Sequence, residues 1–168
     1  MLPLQRYAIG RGSNQRHHRH AAPARVIAAA LAAIAARDIV VVAASPTVTT
    51  WPIGPSKRRF ANAAAIITTP LAPPALLSAL KHIEREFGRR AGQRWGPRVL
   101  DLDILLWSGG RWSARSLTIP HAHLTWRGFV LAPLCAIAPD WALPRKGIAV
   151  RHAHHRLNRR RAIAAHKD

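Results

Sequence analysis

Cysteine is almost absent from this chain. The single thiol, Cys135, has no partner for an intrachain disulfide, so nothing points to an oxidising compartment, and its apolar surroundings in LAPLCAIAP suit a buried, inert group. Long apolar runs are also missing. The longest, Val26 to Ala36, is 11 residues of mostly alanine, well short of the roughly 18 that a bilayer requires. The lead before it carries Arg6, Arg11, Arg16, Arg19 and Arg25 and is too long for the basic start of a signal peptide. These absences describe a soluble, cytoplasmic protein without a membrane partner. Acidic residues are scarce as well: 7 against 26 Lys and Arg, a net charge of +19. No internal repeat is present. A hydrophobic share of 49% excludes disorder throughout, and 168 residues suit one domain with a real core.

The basic excess lies largely at the ends. Between residues 26 and 145 the net charge is only +8, concentrated in Lys57-Arg58-Arg59 and in Arg89 to Arg98. Such short runs serve a small polyanion as well as a duplex, so non-specific nucleic-acid contact is assigned to the basic ends. A basic nucleic-acid-binding protein is one alternative reading of the whole. The histidine clusters at 17–20 and 152–155 lie among arginines that repel a metal, and they read as solvated.

The pattern along the chain is β, α, β, β, α, β, followed by further strand and helix material. Strands are expected at Tyr7 to Arg11, at Ile39 to Ala44 as a buried β-branched run, onward to Thr50, at Phe60 to Thr68, and at Val99 to Trp107. Helices are expected at Pro23 to Arg37 and Pro74 to Phe87, the latter with Leu76, Leu80, Ile83 and Phe87 on one stripe and Gly88 to end it. A last helix is expected from Arg127 onward. Residues 1–145 form the domain, and 146–168 read as a loosely held or disordered basic tail. The fold class is α+β: a sandwich with a mostly antiparallel sheet and helices packed on it.

Two acids carry the chemistry. In VLDLDILLW, strand alternation puts Asp101 and Asp103 on one face and Leu100, Leu102 and Ile104 on the other. Neighbouring carboxylates among apolar residues repel unless a cation compensates them, and Mg²⁺ is the natural oxygen-loving candidate. The arginines of RWGPR immediately before them would grip phosphate oxygens while the acids hold the metal. The competing readings are a hydrated strand end and plain ion pairing between Arg98 and the acids. No Walker-type phosphate loop and no kinase H-R-D or D-F-G set is present. Phe60 and Asn62 share a strand face, where they could stack a flat heterocycle and read its edge or simply pack the core.

The run RWGPRVLDLDILLW, Arg94 to Trp107, resembles the signature of the 6-hydroxymethyl-7,8-dihydropterin pyrophosphokinases. LTIPHAHLTWRGFVLAPLCAIAPD resembles the same family's second block, and GSN, TTWPIGP and FANAA fall in the family's order, so the likeness spans residues 7 to 144. It implies a ferredoxin-like α/β sandwich, a monomer that transfers pyrophosphate from ATP to the hydroxymethyl group of 6-hydroxymethyl-7,8-dihydropterin and releases AMP in folate biosynthesis. Carried over by position, Asp101 and Asp103 would hold two Mg²⁺ ions, and Arg98 and Arg89 would stabilise the transferring group. Thr50, Ile53, Phe60, Asn62, Trp95 and Phe129 would bind the pterin. Lys81, Glu84, Arg90, Arg98, Ile104, Thr118, His121 and Arg127 would bind ATP. The chain departs from the family at Phe60 in place of tyrosine, at Trp51 in place of proline, at an arginine loop one residue short, and at Arg11 on an apolar strand position. The shortened loop and Trp51 motivate the other alternative, a weakly active or inactive pterin- or nucleotide-binding relative.

Overall fold

The computed structural model describes residues 3–51, 59–88, 98–144 and 147–165. Its centre is an antiparallel sheet built from β1 (Gln5–Ser13), β2 (Val40–Ala44), β3 (Val48–Thr50), β4 (Phe60–Thr69) and β5 (Asp101–Trp107). The order is β2-β4-β1-β5, with β3 continuing beside β4 where β2 ends. Helices α1 (Pro23–Ala35) and α2 (Pro73–Glu86) connect the strands. This is the α+β sandwich expected from the pattern.

β4 lies inside the sheet, so both of its faces are covered. Ala65 and Ile67 join the core under α1 and α2 with Val26, Ile34, Leu76, Leu80 and Ile83. Ala64 and Ile66 face the opposite core with Leu131 and Leu134 of α3 (Gly128–Ile137). Helix α2 ends where sequence places its terminator: Gly88 has φ +86, a left-handed conformation that side chains resist. A bulge between β1 and β5 gives β5 one extra residue, Leu105, so Leu105 and Leu106 both enter the second core. Two small hairpins complete the fold: β6 (Trp112–Ala114) with β7 (Leu117–Ile119), and β8 (Ala142–Leu143) with β9 (Ile148–Ala149).

The expectations for β2 and for the C-terminal segment are corrected, and the departure at Arg11 is placed. β2 is not a buried strand: it forms the sheet's edge, and Val40 and Val42 are exposed. A β-branched run signals an extended backbone but does not say how far from the sheet's centre it lies. Arg11 finds no exit to solvent. Its guanidinium stays buried beneath α1, donating to the carbonyls of Ile27 at 3.2 Å and Ala64 at 3.1 Å, with Nε unpartnered. The small side chains of Ala61 and Ala63 beside it leave the room, and burial lowers its pKa to about 10. Finally, the segment after Lys146 is not a loose tail. It forms β9 and then α4 (Val150–Ala165), whose Val150 and Ala153 are buried in the second core and whose Arg151 pairs with Asp140. Among the described residues, no helix is long and apolar enough to cross a membrane.

Candidate active site

One row across the sheet organises the site. Gly12 of β1 pairs with Asn62 of β4 on one side and with Asp101 of β5 on the other, so an amide and a carboxylate share a sheet face with only a hydrogen atom between them. A Cβ at Gly12 would lie 3.3 Å from Asn62 Oδ1 and 4.0 Å from Asp101 Cβ. Glycine thus keeps the floor clear. In the next row Gly10 stands opposite Asp103, with the Leu105 side chain over it instead of an open floor. Sequence reading placed Gly12 in a motif without giving it this function; its signal is a glycine inside a strand, which marks close approach.

Around the acids, charge is arranged asymmetrically. Arg98 Nη1 donates to Asp101 Oδ2 at 2.6 Å. Asp103 holds its proton above the usual carboxylate range, first because burial disfavours the anion and then because Asp101 repels it; Lys81, His121 and Arg98 oppose that shift. Its side chain keeps 38% exposure, so water screens part of the repulsion. His121 Nε2 stands 4.0 Å from Asp103 Oδ2. Burial favours its neutral form, against the pull of Asp103 and with the push of Arg127. Because His121 Nδ1 accepts from the His123 N–H at 3.2 Å, the neutral ring carries its proton on Nε2. The backbone fixes the residue too: His121 N–H donates to the Leu105 carbonyl at 3.0 Å.

Helix α2 reaches the same strand from its other side. Glu84 is buried on the apolar stripe and accepts the Leu102 N–H at 2.7 Å, while Lys81 Nζ donates to Glu84 at 2.7 Å and to the Leu102 carbonyl at 3.1 Å. Glu84 is thereby bound to the edge of β5. Lys81 stays partly exposed, within electrostatic reach of Asp103. Ile104 points into the core under α2, leaving only its backbone for a ligand.

Beyond Gly12, Asn62 Nδ2 donates to Thr50 Oγ1 at 3.1 Å, tying the amide to β3. Phe60 pairs with Thr50 and is half-buried. Half-buried Phe129 stands in the first turn of α3, which packs across β4 and β3, and the Arg127 guanidinium lies 5.8 Å from its ring centre. Thr118 is exposed on β7, three residues before His121. Asp101, Asp103, Arg98, Lys81 and His121 therefore form one group, with Asn62, Thr50 and Phe60 across the glycine floor. The sites assigned to Ile53, Arg89, Arg90 and Trp95 lie outside the described residues.

Comparison with known proteins adds an independent line. Residues 8–139 match the family described as 7,8-dihydro-6-hydroxymethylpterin-pyrophosphokinase. The chain is 44% identical over 143 residues to a 2-amino-4-hydroxy-6-hydroxymethyldihydropteridine pyrophosphokinase of Pseudomonas aeruginosa, covering 84% of this chain and 85% of that one. It is 41% identical over 137 residues to the protein of the same description in Methylorubrum extorquens, covering 80% and 85%. Among solved structures, wild-type Plasmodium falciparum HPPK-DHPS shares the fold, with a TM-score of 0.72 at 13% identity over 94% of this chain and 42% of that longer one.

Proposed function

The chain belongs to the 7,8-dihydro-6-hydroxymethylpterin pyrophosphokinase family, and on that premise we propose that it moves pyrophosphate from ATP to the hydroxymethyl group of 6-hydroxymethyl-7,8-dihydropterin, releasing AMP for folate biosynthesis. The observation that carries the reading is the Asn62–Gly12–Asp101 row, which sets a group able to read a heterocycle beside a pair of acids across an open floor.

Asn62 reads the pterin's edge. Its Nδ2 is committed to Thr50, which fixes the direction of its Oδ1 over Gly12. Phe60 and Phe129 supply flat faces for the ring. Asp101 and Asp103 suit Mg²⁺, because they set two hard oxygen donors on one sheet face, where burial and Asp101 outweigh the pull of Lys81, His121 and Arg98 on Asp103. Two carboxylates suit an ion that is held together with substrate phosphates. Bound there, two such ions would neutralise the triphosphate and lower the pKa of the acceptor hydroxyl.

The chain's own groups do the rest. Arg98 leaves or shares Asp101 to grip the transferring group. Lys81, the Nε2–H of His121 and Arg127 bring donors to the ATP phosphates, with Thr118 nearby. Asp103, on the same strand face as Asp101, is the candidate acceptor of the hydroxyl proton. Positioning and charge neutralisation supply most of the acceleration in phosphoryl chemistry. We place the protein in the cytoplasm as a monomer.

The test is direct. Incubation with ATP, Mg²⁺ and hydroxymethyldihydropterin should yield AMP and the pyrophosphorylated pterin in equal amounts. ADP as the sole nucleotide product would overturn the reaction.

A further inference from the structure

The loop after β1 plays no part in the roles above, yet it makes a long-range contact to the site. Asn14 N–H donates to the Arg98 carbonyl at 3.0 Å, and Arg98 N–H donates to Asn14 Oδ1 at 2.7 Å. The partners are 84 residues apart in sequence. Asn14 is 6% exposed, so water does not substitute freely in either bond. Both backbone polar groups of Arg98 are thus held by one residue. The guanidinium of that same arginine contacts Asp101 at 2.6 Å.

We propose that Asn14 is a positioning residue for pyrophosphoryl transfer: it clamps the Arg98 backbone so that the guanidinium meets the transferring group beside Asp101. This rests on the pyrophosphokinase reading. An arginine side chain has several freely rotating bonds, and its reach is defined only if its backbone is fixed. Arg98 precedes β5 rather than lying in it, so the β1–β5 ladder does not supply that fixation. Asn14 follows β1 directly and carries the ladder's rigidity one step further. A purely loop-stabilising asparagine would bond to its own turn; this one bonds to the backbone of a residue whose side chain lies in the site.

Displacement of a catalytic group by about 1 Å can cost roughly 100-fold in rate. Steady-state AMP formation and thermal unfolding should therefore be measured for wild type, Asn14→Ala, Asn14→Asp, Arg98→Ala and the Asn14→Ala/Arg98→Ala double variant. In Asn14→Ala, kcat should fall by roughly 10- to 100-fold while the KM of each substrate stays within about threefold. Asn14→Asp keeps an oxygen that accepts from the Arg98 N–H and should recover most of that loss. On the Arg98→Ala background, adding Asn14→Ala should cost less than about twofold in kcat, although its effect on the melting temperature persists. If Asn14→Ala does not fold, Asn14→Gln carries the same expectation, because it keeps the amide but displaces it by one methylene. Equal kcat losses with and without the Arg98 side chain would overturn the role. So would an aspartate variant as slow as the alanine one, or an Asn14→Ala enzyme as fast as an active wild type. A wild-type protein that forms no AMP overturns the reaction itself, and this role with it.

Discussion

A single hydrogen atom at Gly12 separates the two halves of the site, and its replacement is the sharpest residue-scale test of that geometry. A methyl group there would press on Asn62 Oδ1 at 3.3 Å and leave Asp101 Cβ at ordinary contact distance. Gly12→Ala should raise the KM for the pterin by roughly tenfold, equivalent to about 1.4 kcal/mol, with a much smaller change for ATP; equal losses for both would remove the floor from the pterin side of the site. The acids make the complementary case. Asp103→Asn should abolish turnover, yet in the absence of Mg²⁺ it should unfold no earlier than wild type at neutral pH. The sign follows from the raised pKa. The folded state binds the proton more tightly than the unfolded chain, so the native form of Asp103 is favoured at low pH, and that advantage is lost as pH rises above the ordinary carboxylate range. The variant's benefit should therefore shrink as pH falls toward 4, which melting curves across that range would show.

Elements differ in how openly the sequence announces them. Helix α2 was legible because its apolar residues recur at helical spacing and proline and glycine bracket it; the D-x-D pair was legible because alternation alone assigns both acids to one face. The exposure of β2 was not, since position in a sheet depends on partners far along the chain. Nor was the edge-binding role of Glu84, which the family likeness assigns to ATP, because its backbone partner Leu102 lies 18 residues away. Helix α4 was obscured by its arginines and histidines, although Val150, Ala153 and Leu157 carry the spacing of a packed face. That face makes a prediction. Deleting residues 151–168 should destabilise the protein by about 2 to 4 kcal/mol, because it strips Ala153 and Leu157 from the second core. Deleting only 162–168 should change stability by no more than about 0.5 kcal/mol, since Asn158 to Ala165 are exposed. Chemical denaturation of the two truncations separates these outcomes.

At the scale of the whole molecule, a net charge of +19 opposes compactness. Raising ionic strength from about 0.01 to about 0.15 M shortens the screening length from roughly 30 to 8 Å, so the melting temperature should rise over that range; an unchanged or falling value would mean that the excess is too dispersed to matter. The same titration tests contact between the basic ends and nucleic acid, because each phosphate neutralised steepens the fall of log affinity with log salt by about 0.9. Charge of one sign keeps copies apart in dilute buffer, but screening removes that protection. What remains then is the sheet's two margins, β2 and β5. An edge strand with free amides and carbonyls is a template on which a second chain can add a strand. Here the Leu102 amide and carbonyl are occupied by Glu84 and Lys81, and the Leu105 carbonyl by the His121 amide. The contacts that bring α2 and His121 to the acids thereby also occupy that margin, so strand addition between molecules is left to the opposite edge, β2, with Val40 and Val42 exposed.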